Sequence, residues 1–339
     1  MRVIKDLTDK NLDIISKKLI EGDVVAIPTE TVYGLAANAL NPSAVSKIFK
    51  IKGRPSDNPL IVHISGLDMI KKFAIDVPDI AYKLAEKFWP GPLTIILKKS
   101  NIVPDITTGG LGSVALRAPA HESALKIIRS TNLGLAAPSA NISGKPSPTT
   151  ASHCQKDLGS KIDIIVDGGP CNFGIESTVV SLLDKTPCLL RPGVITQDQI
   201  KKITGKLEIS KNILEKYTSE ETLISPGMKY KHYAPDAEVI LIKSNLNNFI
   251  NYINKIQDKN CAVLIFKGEE KNINKPYFIL GSKDDFISQS QNLFRILREI
   301  DETDFKKIYV RCPEISGVGL AVYNRLIRAA NFNIINIDD

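Results

Sequence analysis

The stretch Lys52-Gly-Arg-Pro-Ser-Asp-Asn-Pro-Leu-Ile-Val-His63 constrains this chain more than any other. Two cations stand two residues apart, two prolines follow, and the segment runs into an apolar strand with a histidine near its end. Proline locks its own φ, so Pro55 and Pro59 limit how far Lys52, Arg54 and Asn58 can wander. A solvated surface loop needs no such stiffening, whereas a site that grips an anion gains from it. Arginine presents a planar fork to phosphate oxygens and lysine adds a point charge. A polyphosphate or nucleotide site is the first expectation.

The 339 residues suffice for roughly two domains. The formal charge of +7 suits anionic ligands such as nucleotides or RNA. A lysine-rich surface would give the same number, and no basic run with interleaved aromatics marks a dedicated nucleic-acid module. The five cysteines, at 154, 171, 188, 261 and 312, are scattered and odd in number, which argues against a disulfide framework and for a reducing cytoplasm. Met1–Asp6 lacks the apolar stretch of a signal peptide, and no apolar run approaches a membrane span.

Apolar runs predict strands at 24–28, 60–64, 93–97, 114–118, 135–137, 162–166, 178–182 and 189–191. Helices are expected at 42–51, 67–74, 78–88, 121–130, 149–157 and 196–203. Strands outnumber helices and do not strictly alternate with them, so residues 1–205 read as a twisted, mixed α/β sheet. Residues 237–339 alternate strands with amphipathic helices, the mark of a smaller parallel, Rossmann-like α/β domain. Between them, 206–236 ends in Ser225-Pro-Gly-Met-Lys-Tyr-Lys-His-Tyr-Ala-Pro235. Three aromatic or imidazole rings in a proline- and glycine-broken segment suggest a linker that covers a site.

Period-two alternation places His63 on the face of Ile61, and Ser113 and Arg117 together on the face opposite Val114 and Leu116. About 13 Å of strand separates Ser113 from Arg117, enough for two ends of one long ligand. An arginine in an apolar strand wants an anion, either a nearby Asp or Glu or a ligand carboxylate. Arg191 ends another apolar strand and raises the same question. Pro138-Ser-Ala-Asn-Ile-Ser-Gly-Lys-Pro-Ser-Pro148 puts Ser139 and Asn141 on one side of a loop whose glycine lets backbone amides approach an oxyanion. Thr29, Glu30 and Thr31 leave a strand through Pro28, and Glu176 and Ser177 stand just before another; both groups suit turn chemistry or a ligand hydroxyl or ammonium. No Gly-x-Ser-x-Gly elbow supports a serine nucleophile, and no His, Cys and acid cluster has metal-ligand spacing.

Taken in order, eight segments resemble the Sua5/YrdC/YciO family in its two-domain form. They are 28–35 (Pro-Thr-Glu-Thr-Val-Tyr-Gly-Leu), the 52–63 stretch, 89–94 (Trp-Pro-Gly-Pro-Leu-Thr), 114–119 (Val-Ala-Leu-Arg-Ala-Pro), 138–141 (Pro-Ser-Ala-Asn), 176–178 (Glu-Ser-Thr), 190–193 (Leu-Arg-Pro-Gly) and 225–235. They run over about two thirds of the chain, and the last belongs to the linker of the two-domain type. Lys231 stands where that pattern has arginine, which keeps the charge.

The resemblance implies a YrdC-like catalytic domain at 1–205, a site-covering linker at 206–236 and a C-terminal domain at 237–339. It implies synthesis of threonylcarbamoyl-AMP from L-threonine, bicarbonate or CO2 and ATP, with Mg2+ carried on the ATP phosphates. Other proteins would then transfer the group to tRNA as t6A; weak RNA binding is also expected, and no membrane contact. Carried onto matching positions, Lys52 and Arg54 would hold the phosphates. Asn58, Ser113, Ser139, Asn141, Thr149, Arg191 and Tyr230 would line the nucleotide, and Thr31, His63, Arg117 and Ser177 would read threonine. A YrdC-like surface for double-stranded RNA without synthesis is the rival expectation, separated from the first by threonine-dependent pyrophosphate release.

Overall fold

The computed structural model of the chain describes residues 1–216 and 233–338. Its first unit opens with β1 (Arg2–Ile4), α1 (Asp9–Ile20), β2 (Val25–Ile27), β3 (Gly34–Asn38), α2 (Pro42–Lys52) and β4 (Ile61–His63). There follow α3 (Ile70–Phe73), α4 (Asp79–Phe88), β5 (Leu93–Lys98), α5 (Asp105–Thr108), β6 (Ser113–Arg117), α6 (Glu122–Thr131) and β7 (Leu135–Ala136). It closes with α7 (Ala151–Leu158), β8 (Ile164–Val166), β9 (Thr178–Ser181), β10 (Cys188–Arg191), α8 (Gln197–Thr204) and β11 (Glu208–Ile209). These strands form one mixed sheet in the order β1, β8, β2, β3, β7, β4, β6, β5, β9, β10, β11. The expected mixed α/β class is what the structure has.

Local chemistry sets the element that matters most for the site. Asn41 caps α2 by accepting the N–H groups of Ser43 and Ala44, Pro42 occupies its first turn, and Gly53 ends it at φ 62°. That left-handed turn costs glycine little and reverses the chain after Lys52. The stiff loop then lies back on Gly109, where a β-carbon would stand 2.7 Å from the Asp57 carbonyl oxygen.

Strand register aligns the polar residues. β4 and β6 are parallel with His63 opposite Arg117 and Ile61 opposite Ala115. β5 pairs antiparallel with β6 and parallel with β9. Leu60, Val62, Ile64, Val114 and Leu116 enter the main core, while Ile61, Ala115, Ile96, Val179 and Leu190 form a separate apolar cluster on the other face. The alternation read from the sequence is thus the alternation in space. α1, α5, β1, β3 and β11 were not expected. β3 reads Gly-Leu-Ala-Ala-Asn and α5 is four residues long, so neither has the bulky periodic pattern by which such elements are read. α1 does carry it, with Leu12, Ile15 and Leu19 on one face behind the Thr8 cap, and was legible.

The second unit contains β12 (Glu238–Lys243), α9 (Leu246–Lys255), β13 (Cys261–Phe266), β14 (Tyr277–Gly281), α10 (Phe286–Ile300), β15 (Lys307–Arg311), α11 (Gly319–Ala329) and β16 (Ile334–Asn336). Its strands, in the order β14, β13, β15, β12, β16, are all parallel. α9 covers one face through Phe249 and Ile253, and α10 and α11 cover the other, as parallel sheets require.

The units meet along α10 and α11. Val32 and Ile175 of the first unit join the core of the second. Arg298 grips Asp157 with two parallel bonds of 2.9 and 2.6 Å and also donates to the Pro146 carbonyl at 2.5 Å. Among the described residues, no helix is long and apolar enough to cross a membrane.

Leu116 lies wholly in the core, directly before Arg117 on the opposite face. Leu116→Ala should cost about 2–5 kcal/mol of unfolding free energy, read from the urea midpoint.

Candidate active site

The β2–β3 turn, the proline-stiffened loop and the ends of β4, β6, β9 and β10 surround one cavity. Its walls hold Thr31, Arg54, His63, Arg117, Ser139, Ser177 and Arg191, seven of the residues expected to bind substrate. Asn58, Ser113, Asn141 and Thr149 stand outside its walls, and so does Lys52. Tyr230 lies outside the described residues.

Three guanidinium groups converge here, and each is restrained. Arg54 donates Nη2 to the Pro59 carbonyl at 3.1 Å. Arg117 is 3% exposed; its Nε donates to the Gly91 carbonyl at 3.2 Å. Its Nη2 lies 2.8 Å from Glu30 Oε1. That contact is close but off the hydrogen-bond axis, so it acts as charge pairing, and neither Glu30 oxygen has an aligned donor among the described residues. The strand arginine therefore has the acidic neighbour considered from the sequence and still faces the cavity. Arg191 donates Nε to the Ser177 carbonyl at 3.0 Å and Nη2 to Ser177 Oγ at 3.2 Å. Burial, with the positive neighbours Arg325 and Arg117, pushes its pKa down to about 10, against the pull of Tyr233 and Glu176.

Lys52, the last residue of α2, does not line the cavity. Its ammonium donates to the carbonyls of Ser139 and Asn141, the latter at 2.5 Å, and its own carbonyl accepts the Ser143 N–H. Burial, then the charge of Arg54, holds its pKa well below the usual lysine value. Asn141 belongs to the same knot: its Oδ1 accepts from Ser139 Oγ at 2.5 Å, and its Nδ2 donates to the Ile142 and Lys145 carbonyls at 2.8 Å each. Lys52 and Asn141 thus shape the loop that presents Ser139. Thr149 packs against His153 Nδ1 at the start of α7. Ser113 opens into a neighbouring hollow beside Leu111, Cys188 and Leu190, on the same sheet face as Arg117.

Ser177 is the hub of the far wall. Its hydroxyl lies 2.7 Å from Thr94 Oγ1, so the expected Trp-Pro-Gly-Pro-Leu-Thr segment contributes both Thr94 and the Gly91 carbonyl. A β-carbon on Gly193 would stand 2.4 Å from the Thr178 nitrogen, so only glycine lets the turn after β10 lie this close to β9. Glu176 accepts from Ser147 Oγ at 2.5 Å and from Arg325 Nε at 3.0 Å. Burial opposes its charge, yet Arg325, Arg191 and Ser147 together hold its carboxyl below the usual value. Thr29 fixes the opposite turn through Thr31 Oγ1 at 2.8 Å and the Val32 carbonyl at 2.6 Å.

Tyr233 also lines the cavity, with φ at 65° and its ring 5.2 Å from that of Phe294. It was legible only as part of an aromatic linker. The 89–94 segment was singled out in the sequence, but the partners of Gly91 and Thr94 were not, and Arg325 was not marked at all, because each contact is made across more than ten residues of chain.

His63 is buried beside Arg117, and burial first, then that charge, lowers its pKa to about 3. The unfolded chain takes up the proton near 6.5 and the folded chain only near 3, so the neutral ring contributes stability that is complete above 6.5 and lost as pH falls toward 3. His63→Gln should flatten this part of the stability curve in urea unfolding between about pH 4 and 7; an unchanged slope would show that another group carries it.

A family model described as "Telomere recombination" matches residues 17–193, and one described as "Threonylcarbamoyl-AMP synthase, C-terminal domain" matches 195–331. A threonylcarbamoyl-AMP synthase of Pyrococcus abyssi is 45% identical over 94% of this chain and 93% of its own length. One from Bacillus subtilis is 43% identical over 94% and 92%. The crystal structure of P. abyssi Sua5 complexed with L-threonine superposes with a TM-score of 0.93 at 43% identity, covering 99% of this chain and 100% of that one. Motifs, two-unit fold and relatives agree, and the chain belongs to the Sua5/YrdC/YciO family, among its members that carry the threonylcarbamoyl-AMP synthase C-terminal domain.

Proposed function

We propose that this chain is an L-threonylcarbamoyladenylate synthase. It joins L-threonine, bicarbonate and ATP into threonylcarbamoyl-AMP, with pyrophosphate and water released. The observation that supports this most is the convergence of Arg54, Arg117 and Arg191 with Thr31, His63 and Ser177 on one cavity. Three cations at one place suit a substrate set with a carboxylate at one end and a triphosphate at the other.

Arg117 takes the threonine carboxylate as a fork, displacing part of its charge pairing with Glu30. Thr31, His63 and Ser177 read the hydroxyl and amine. A histidine this weakly basic stays neutral, so His63 orients the amine by hydrogen bonding and the ammonium proton leaves by solvent or bicarbonate. The free amine captures CO2 as a carbamate, whose oxygen attacks the α-phosphorus while the bond to the β-phosphate oxygen breaks. No enzyme nucleophile is needed, and catalysis is positioning plus charge stabilisation. Arg54 and Arg191 face the phosphates, and Lys52 with Asn141 acts from behind by holding the Ser139 loop. Asn58, Thr149 and Ser113 serve the nucleotide side, Ser113 at the far end of β6.

Mg2+ enters with ATP. Among the described residues, no group of histidine, cysteine and acidic side chains could hold a metal ion by itself, which suits an ion bound through phosphates and water. The five free thiols suit the cytoplasm. There the adenylate passes to proteins that place the threonylcarbamoyl group on tRNA as t6A, and the net positive charge supports weak RNA contact.

Pyrophosphate release that requires both threonine and bicarbonate tests the activity; release independent of threonine would refute it. Arg54→Ala should lower that release by about 100-fold or more with the thermal melt unchanged. Arg117→Ala should raise the KM for threonine by at least about tenfold and the KM for ATP far less; equal effects on both would contradict the carboxylate role.

A further inference from the structure

We propose that Arg325, on α11 of the second unit, is a positioning residue for the synthase site: it ties the Glu176–Ser177 and Arg191–Pro192 segments together so that both face the substrates. This rests on the synthase reading given above and assigns to the C-terminal unit a part in it.

Arg325 is fully buried and reaches no wall of the cavity. Its guanidinium instead crosses to the first unit in three directions. Nε donates to Glu176 Oε2 at 3.0 Å, Nη2 to the Glu176 carbonyl at 3.2 Å, and Nη1 to the Pro192 carbonyl at 2.6 Å. Glu176 immediately precedes Ser177, and Pro192 immediately follows Arg191. Those two cavity residues are in turn bonded to each other. One planar cation therefore fixes the outer neighbours of both members of a working pair.

The contact could be interdomain adhesion alone, but its placement argues otherwise. Arg298 already supplies an adhesive pair, 8% exposed where Arg325 is 0%, on Asp157 and Pro146; it touches Glu176's partner Ser147 only through that residue's backbone carbonyl, at 3.4 Å. Arg325 differs in ending on the residues that flank the site. It also meets the buried carboxylate of Glu176 directly, on the side opposite the Ser147 hydroxyl, which binds the other carboxylate oxygen. Lysine cannot replace it, because a single ammonium lacks the fork that serves a carboxylate and two carbonyls at once. A displacement of about 1 Å in a positioned group can lower turnover by about 100-fold, which is the scale expected here.

The test uses the full chain and compares Arg325→Met, Arg325→Lys and Arg298→Met by thermal melting and by pyrophosphate release. Arg298→Met should lower the melting temperature and leave the KM for threonine within about twofold. Arg325→Met should lower kcat/KM by about 100-fold, with the KM for threonine raised, and Arg325→Lys should recover only part of the loss. Without Arg325, Glu176 takes up its proton at a higher pH, so Arg325→Met should also gain an acid-side dependence of kcat/KM that Glu176→Gln in the same background removes. If Arg325→Met fails to fold, Arg325→Lys carries the test: a KM for threonine and a kcat equal to those of the parent chain would overturn the proposal. So would an Arg325→Met variant that merely melts early, as Arg298→Met does. A parent chain without threonine-dependent release would instead overturn the synthase reading, and this inference with it.

Discussion

The structure depends on keeping several cations together on one face of a sheet, away from its edge strands. Arg54, Arg117 and Arg191 line the same cavity, and gathered like charges repel strongly where water is excluded. The fold answers with fixed dipoles. Carbonyls of Pro59, Gly91 and Ser177 each accept from one of the three arginines, and Glu30 lies against Arg117. Such contacts hold each guanidinium in place without cancelling its charge, so the site is organised before an anionic substrate arrives.

This arrangement follows from sheet register. Parallel pairing of β4 with β6 sets His63 beside Arg117, and β5 links β6 to β9, whose leading residue follows Ser177. The same alternation that buries Leu116 and Val62 turns Arg117 and His63 to the open face. Core and site are two sides of the same strands. The neutrality of His63 is a consequence: an imidazole buried next to a guanidinium has no room for a second positive charge.

Much of this was legible in the chain. The stiff loop, the strand faces and the parallel second sheet all follow from local rules, and Arg54, His63, Arg117, Ser177 and Arg191, each singled out in the chain, line one cavity. What was not legible depends on long-range geometry. Lys52 reads as a phosphate ligand, but at the end of α2 its ammonium reaches carbonyls nearly ninety residues away. Asn141 reads as a cavity residue and is consumed by its own loop. Arg325 lies in a helix whose periodicity marks a buried face and nothing more; its partner Glu176 is 149 residues distant. Side-chain periodicity fixes a face, whereas the partner on that face is chosen by the whole topology.

The central claim is that threonine and the triphosphate occupy this one cavity together. A crystal structure with L-threonine and a non-hydrolysable ATP analogue tests it most directly. The account predicts the threonine carboxylate within hydrogen-bond distance of Arg117 and the phosphates within the same distance of Arg54. Phosphates bound elsewhere on the chain, with Arg54 still facing only protein carbonyls, would contradict it.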